Sequence, residues 1–178
     1  MYPVLRLIWQ MARHRRAPSL PPTGTHVSHH RCLPWDIDLW RELNNGRTLT
    51  LYDLGRIPLA GRIGLIAVLK RNRWGLTMAG ASVRYRHRVR VFDRVRMQSR
   101  LAGWDARFFY VEQSMWRRDG ACANHILYRA AVTGRDGIVA PSDVLTEMGH
   151  DGAAPALPDW ITAWIDAEAQ RPWPPEQE

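Results

Sequence analysis

"PWDIDLWRELNNGRTLTLYDLGR", residues 34–56, is the stretch whose reading decides the fold. Asp36 and Asp38 stand two apart, and Asn44 and Asn45 follow. From Arg47 onward the pattern is helical: Leu51, Leu54, Ile57, Ile63, Ile66 and Leu69 recur at three-residue steps to about Lys70. Asp and Asn ahead of such a period are turn formers and helix caps. Residues 44–48 therefore predict a helix start, with Asn44 or Asn45 as the cap, and Asp36 reads as a turn or capping residue. The helix is too apolar for an exposed position and reads as buried and central. Pro58 predicts a kink or a second start within it. Gly55, Gly61 and Gly64 permit close packing.

Working outward, "THVSHHRCL" (25–33) predicts a first strand. After "NRWG" the period changes to two. Residues 83–91 alternate strictly, with Arg84, Arg86, Arg88 and Arg90 on one face. Asp93 marks a turn, and alternation resumes with Val95, Met97, Ser99 and Leu101 opposite Arg94, Arg96, Gln98 and Arg100. "GWDA" (103–106) and "DGA" (119–121) are further turns, bounding strands at 107–118 and 122–134. Four consecutive strands with tight connections predict an antiparallel meander. A short helical turn at 141–148, a helix over 158–169 and a loose tail complete the chain. One long apolar helix needs a surface that covers most of it, and a curved antiparallel sheet supplies one. The expected class is α+β: a hotdog fold, about five strands wrapped around a central apolar helix. Residues 1–24 form a basic segment and linker, 25–150 the main domain, and 151–178 a C-terminal helix and tail.

A chain of 178 residues with 46% hydrophobic residues and nine Trp is long and apolar enough for one folded domain. The net charge is +8, and Lys70 is the single lysine. Such a field attracts polyanions, yet no nucleic-acid motif accompanies it, so nucleic acid is not an expected partner. The two cysteines, Cys32 and Cys122, show no paired spacing and read as small hydrophobes. That predicts a reducing, cytoplasmic setting. His26, His29 and His30 cluster without a further ligand at recognisable spacing, so no metal is expected. No GxSxG elbow, P-loop or GxGxxG occurs. Residues 1–16 join an apolar set (Val4, Leu5, Ile8, Trp9) to a basic cluster (Arg13, His14, Arg15, Arg16). This segment reads either as a helix docked on its own domain or as one lying on a membrane surface.

The stretch at 36–56 resembles the signature of 4-hydroxybenzoyl-CoA thioesterase-like hotdog proteins: Asp-x-Asp, a short loop, then Asn-Asn opening the central helix. "RVFDRVRMQSRLAGWDARFFYVEQ" (90–113) resembles the hairpin of the branch that includes thioesterase superfamily member 6. "RDGACANHILYR" and "GIVAPSDV" follow in the same order. The likeness covers about residues 25–150. It implies that Asp38 stands where many of these enzymes keep a catalytic carboxylate. Asp53 falls where relatives often carry Glu, and Arg56 matches the arginine closing the helical motif. Two positions depart from the pattern: Glu42 replaces a frequent His, and Thr48 a frequent Tyr.

Thioester hydrolysis needs an activated water or a carboxylate nucleophile, and a holder for the developing oxyanion. A helix start offers unpaired N–H groups and a partial positive charge. The expected site is therefore Asp38 as base or nucleophile, with the backbone at Asn45 and Gly46 binding the oxyanion. Glu42 reads as a second acid–base group or a solvent-facing carboxylate. Asp53 either faces the thioester or pairs with Arg56 at i,i+3. Arg84, Arg86 and Arg96 read either as coenzyme A phosphate ligands or as a solvated sheet face. The expectation is a cofactor-free thioesterase acting on an acyl-CoA or acyl-carrier-protein thioester. It would be a homodimer or larger, cytoplasmic, and touch a membrane through residues 1–16 if at all. The alternative is a non-catalytic binder of acyl groups or lipid.

Overall fold

A computed structural model describes residues 2–150 and 154–177. Along the chain run α1 (Val4–His14), β1 (His26–Arg31), a 3-10 turn (Pro34–Asp36), α2 (Asn45–Arg62), α3 (Leu65–Asn72), β2 (Gly75–Tyr85), β3 (Arg94–Trp104), β4 (Phe109–Trp116), β5 (Cys122–Gly134), β6 (Gly137–Val139), α4 (Pro141–Glu147) and α5 (Asp159–Gln170). The strands form one antiparallel sheet in the order β1-β3-β4-β5-β2, with β6 paired to β5. The sheet curls around α2, as the sequence led us to expect. The expected boundary at residue 151 lies outside the described residues.

Why α2 sits in the sheet is visible at Gly55. A Cβ there would lie 2.5 Å from Met97 Sδ and 2.6 Å from Ser99 Oγ, so the helix backbone rests directly on β3. Leu51, Tyr52 and Leu54 are buried against Met97, Met115 and Ile126. Polar ties fix the rotation. Tyr52 Oη–H donates to Asn124 Oδ1 at 2.5 Å, and Gln113 Nε2 donates to the Tyr52 carbonyl at 2.9 Å and to Ser99 Oγ at 2.7 Å. Further along, Leu59 and Ile63 meet Leu101, Phe109, Val132 and the α4 residues Val144 and Leu145. The C-terminal helix makes a separate cluster, its Ile161 buried with Tyr110 and Leu127.

Three expectations are corrected. Of the kink or second start expected at Pro58, the second start does not occur there. Pro58 is buried inside α2, which continues to Arg62; the break comes at Gly64, whose φ of +88° ends one helix and starts α3. The four strands are not a simple meander. β3, β4 and β5 are, but β2 crosses to the far edge and pairs with β5. The arginine-alternating segment 83–91 is not one strand: β2 spans Gly75–Tyr85, and residues 86–89 belong to the connection that follows. There the Arg86 and His87 N–H groups both donate to the Ala123 carbonyl.

The inner face of β1 carries His26, Ser28 and His30, all buried. Arg62, which cannot lose its charge, donates from Nη1 to His26 Nδ1 at 3.1 Å. His30 pairs with Ser28 Oγ at 2.7 Å and sits 3.4 Å from Gln10 Nε2 of α1. The His14 ring of α1 stands edge-on to His26, centroids 4.5 Å apart. Burial, helped by neighbouring positive groups, lowers His26 to about 4 and His30 to about 3, and also lowers His14. The docking of α1 thus rests on neutral imidazoles.

Two outcomes follow. Gly55→Val should cost about 1–3 kcal/mol through overpacking, read as a lowered urea midpoint at unchanged slope. The histidines make stability fall on acidification. Above the ordinary value of 6.5 both folded and unfolded rings are neutral; below it only the unfolded chain gains protons, until the folded rings titrate near 4 and 3. Urea titrations at stepped pH should show stability declining from about 6.5 downward.

Candidate active site

The start of α2 is set by Asn44. Its Oδ1 accepts the Arg47 N–H at 3.0 Å, and its carbonyl accepts the Thr48 N–H at 2.8 Å and the Thr48 hydroxyl at 3.1 Å. Asn44 is therefore the cap, and Asn45 and Gly46 are the first two helical residues. Their N–H groups have no acceptor within the helix and stand at its positive end. Asp36 orients this start. Its fully buried carboxylate receives Arg6 Nη1 at 2.7 Å, Arg47 Nε at 2.8 Å and the Leu33 N–H at 3.0 Å. Its own carbonyl accepts the Asn44 N–H at 3.0 Å. Burial pushes the Asp36 pKa up, but the bonds from Arg47, Leu33 and Arg6 outweigh it and hold the group below the ordinary carboxylate value. A turn or capping role for Asp36 was legible in the sequence; Leu33 as the capped N–H and the two arginines were not.

Residues 37–43 make a tight loop closed by the Ile37–Leu43 bridge and by the Asp38 N–H donating to the Glu42 carbonyl at 2.9 Å. Asp38 Oδ1 turns back on this loop, accepting the Trp40 N–H at 2.9 Å and the Glu42 N–H at 3.5 Å. That is the behaviour of an Asx turn. Beside the start of α2 lies an open cleft of about 170 Å³, lined among others by Glu42, Asn45, Thr48, Tyr85, Arg86 and Asn124. Glu42 reaches it because the Leu43 N–H donates to the Val89 carbonyl at 2.8 Å and Glu42 bridges Arg90. One Glu42 oxygen lies 2.9 Å from Nε of the exposed Arg88. Tyr85 Oη–H donates to the Asn45 carbonyl at 3.3 Å. The structure thus brings Glu42 and Asn45 together at the helix start, with Gly46 following Asn45 in the first turn, while Asp38 is not among the residues lining the cleft. Tyr85 and Asn124 were missed by sequence reasoning. Each comes from a distant strand, and no local pattern signals them.

Asp53 is paired with Arg56 at i,i+3. Its carboxylate accepts from Arg56 Nη2 and from the Tyr2 hydroxyl, the latter at 2.9 Å. Arg56 in turn stacks 4.0 Å over the Tyr128 ring. The arginine ribbon is dispersed. Arg84 is exposed on β2, Arg86 lines the cleft, and Arg96 is exposed on β3 opposite His29 of β1. With β4 and β5 between β2 and β3, the three do not share a surface row.

A second, apolar cavity of about 40 Å³ lies along the later half of α2. Leu59, Ile63, Leu76, Met78 and Phe109 line it, and Arg56 is its one charged neighbour. Among the described residues, no group of three or more His, Cys, Asp or Glu is placed to hold a metal ion.

Comparison with known proteins adds lineage to this geometry. Residues 32–165 match the model of the thioesterase-like superfamily. The chain is 26% identical to Protein THEM6 of Drosophila melanogaster over 147 residues, covering 82% of this chain and 74% of that one. It is 30% identical to Protein THEM6 of Xenopus laevis over 135 residues, covering 75% of this chain but 63% of its relative. Among solved structures, a 1,4-dihydroxy-2-naphthoyl-CoA thioesterase from Synechocystis superposes with a TM-score of 0.61 at 10% identity, covering 70% of this chain and 95% of the other. At that identity the likeness concerns the fold.

Removing the Asp36 carboxylate takes away the counter-charge that Arg6 and Arg47 share. Asp36→Ala should cost about 3 kcal/mol, the low end for a broken buried pair because both arginines keep some contact with water. Urea denaturation measures the loss, and faster amide exchange across α1 would locate it.

Proposed function

The chain belongs to the thioesterase-like superfamily, and from that premise we propose that it hydrolyses an acyl thioester at the start of α2. The observation that carries this reading is the shared cleft: a carboxylate, Glu42, beside a helix start whose first N–H groups are open. Water attacks the thioester carbonyl and gives up a proton to Glu42. The N–H groups of Asn45 and Gly46 hold the oxygen that gains charge. Collapse breaks the C–S bond, and the proton passes to the departing thiolate, leaving an acid and a thiol. Asp38 acts as a positioning residue by capping the Glu42 N–H. Arg86, on the cleft wall, suits the phosphates of a coenzyme A carrier. The cavity beside α2 has the apolar lining an acyl group calls for, and at about 40 Å³ it has to open further to admit more than a short one.

Two copies are needed to complete the site in this reading. β2 ends the sheet with a free edge, and nearly all of its residues are exposed, Leu76, Met78 and Tyr85 included. An unpaired edge of that length favours pairing with a second copy. Because β2 lines the cleft at one end and the apolar cavity at the other, pairing there bears on both.

The test is a panel of coenzyme A esters of short, long and aromatic acids, with mass in solution measured alongside. The wild type should turn over and run at twice the chain mass. Glu42→Gln should lower kcat/KM by about a hundredfold or more, with unchanged unfolding. Asp38→Asn should lose less, since the amide oxygen still accepts from the loop. Full activity in Glu42→Gln with loss in Asp38→Asn would reverse the two roles. No turnover by the wild type on any ester would favour a binder of acyl groups instead.

A further inference from the structure

Helix α1 leaves more apolar surface in the open than a helix that serves only its own domain needs to. Its inward stripe is mixed: Leu7 packs on the core and Met11 lies near Gly61, while Arg6 reaches Asp36 and the Arg31 carbonyl, Gln10 is buried against His29 and His30, and His14 meets His26. Its outward stripe is apolar. Leu5 is 82% exposed, Ile8 58%, Trp9 54% and Val4 52%. Trp35, 67% exposed, adjoins the start of the helix, lining one recess together with Tyr2, Val4 and Leu5. An exposed apolar stripe flanked by charge needs a partner to be stable in water.

The surrounding charge says which. Arg13, Arg15 and Arg16 are exposed at the end of the helix, and Arg13 covers the Trp9 ring at 5.2 Å. Arg31 and Arg94 share a recess with Trp9 and Arg13. No acid joins the lining of either recess beside this face. A second copy seated on the same face would set arginine against arginine. An anionic bilayer answers both features, taking the leucine, isoleucine and tryptophan side chains into its acyl boundary and the arginines at its phosphates. Eleven residues are too few to span a bilayer, and no helix among the described residues is long and apolar enough to cross a membrane.

We propose that α1 is a built-in foot that seats the domain on an anionic lipid surface, its apolar outer stripe inserted and its inner stripe pinned to Asp36 and to β1. The inference stands apart from the catalytic reading. The full chain is sedimented with vesicles of phosphatidylcholine alone and of equimolar phosphatidylcholine and phosphatidylglycerol. The wild type should bind the mixed vesicles and bind the neutral ones far more weakly. Leu5→Asp with Ile8→Asp should lower the partition coefficient at least about tenfold, and since both side chains face solvent, its urea midpoint should stay that of the wild type. Arg13→Glu with Arg15→Glu and Arg16→Glu should abolish the preference for anionic lipid. Failure of the wild type to bind mixed vesicles overturns the proposal. So does undiminished binding in the Leu5→Asp, Ile8→Asp chain, which would mark attraction by charge alone. A drop in solution mass in that same variant also overturns it, because the face would then join copies of the chain.

Discussion

A carboxylate shut away from water must be paired, and Asp36 is paired from two sides at once. Arg6 comes from the first helix and Arg47 from the first turn of α2. Between them they fix where the N-terminal helix lies and where the central helix begins. The same residue's carbonyl holds Asn44, which makes Asn44 the cap and leaves Asn45 and Gly46 as the open positions. Such a triad contributes little net stability once desolvation is counted, so its value is directional. It gives the central helix one starting point, and the 37–43 loop one place from which to present a carboxylate.

What could be read from the sequence was whatever a local period or a local hydrogen bond dictates. The apolar period of 47–70 gave the buried helix, and Asp105, whose Oδ1 accepts the Arg107 and Phe108 N–H groups, gave the turn between β3 and β4. The errors have physical causes. "GLTMAGAS" (75–82) has small residues and no alternation, because an edge strand exposed along its length needs no two-faced pattern. The alternation at 83–91 looked like a strand although most of it is a connection pinned by two N–H groups to one carbonyl. Pro58 lacks an N–H but is held inside a helix by burial, whereas Gly64 breaks it by adopting a positive φ.

The site shows the same division. Asn44 was legible as a cap because its partner is three residues away. The family resemblance points to Asp38 as the reactive carboxylate, and its donors in the structure are the N–H groups of its own loop. Glu42 gained its place from Val89 and Arg90, nearly fifty positions along, a contact that spacing does not announce. Arg6 and Asp36 are separated by thirty residues, and no local pattern announces that they meet. Long-range ion pairs and cross-strand cleft walls have no periodicity to betray them.

Helix length constrains how the two hollows can serve one substrate. The cavity's lining on α2 begins at Arg56, eleven residues past Asn45 and about 16 Å along the helix at 1.5 Å per residue. A carbonyl held at the helix start could not place a short acyl group in the same chain's apolar cavity. The strand β2 carries both landmarks, with Leu76 and Met78 on the cavity at one end and Tyr85 on the cleft at the other. Two such strands joined about a two-fold axis run antiparallel, so the cleft end of one comes beside the cavity end of its mate. In the proposed dimer, then, carbonyl and chain of a short thioester fall to different copies. The isolated chain would hold two halves of two sites.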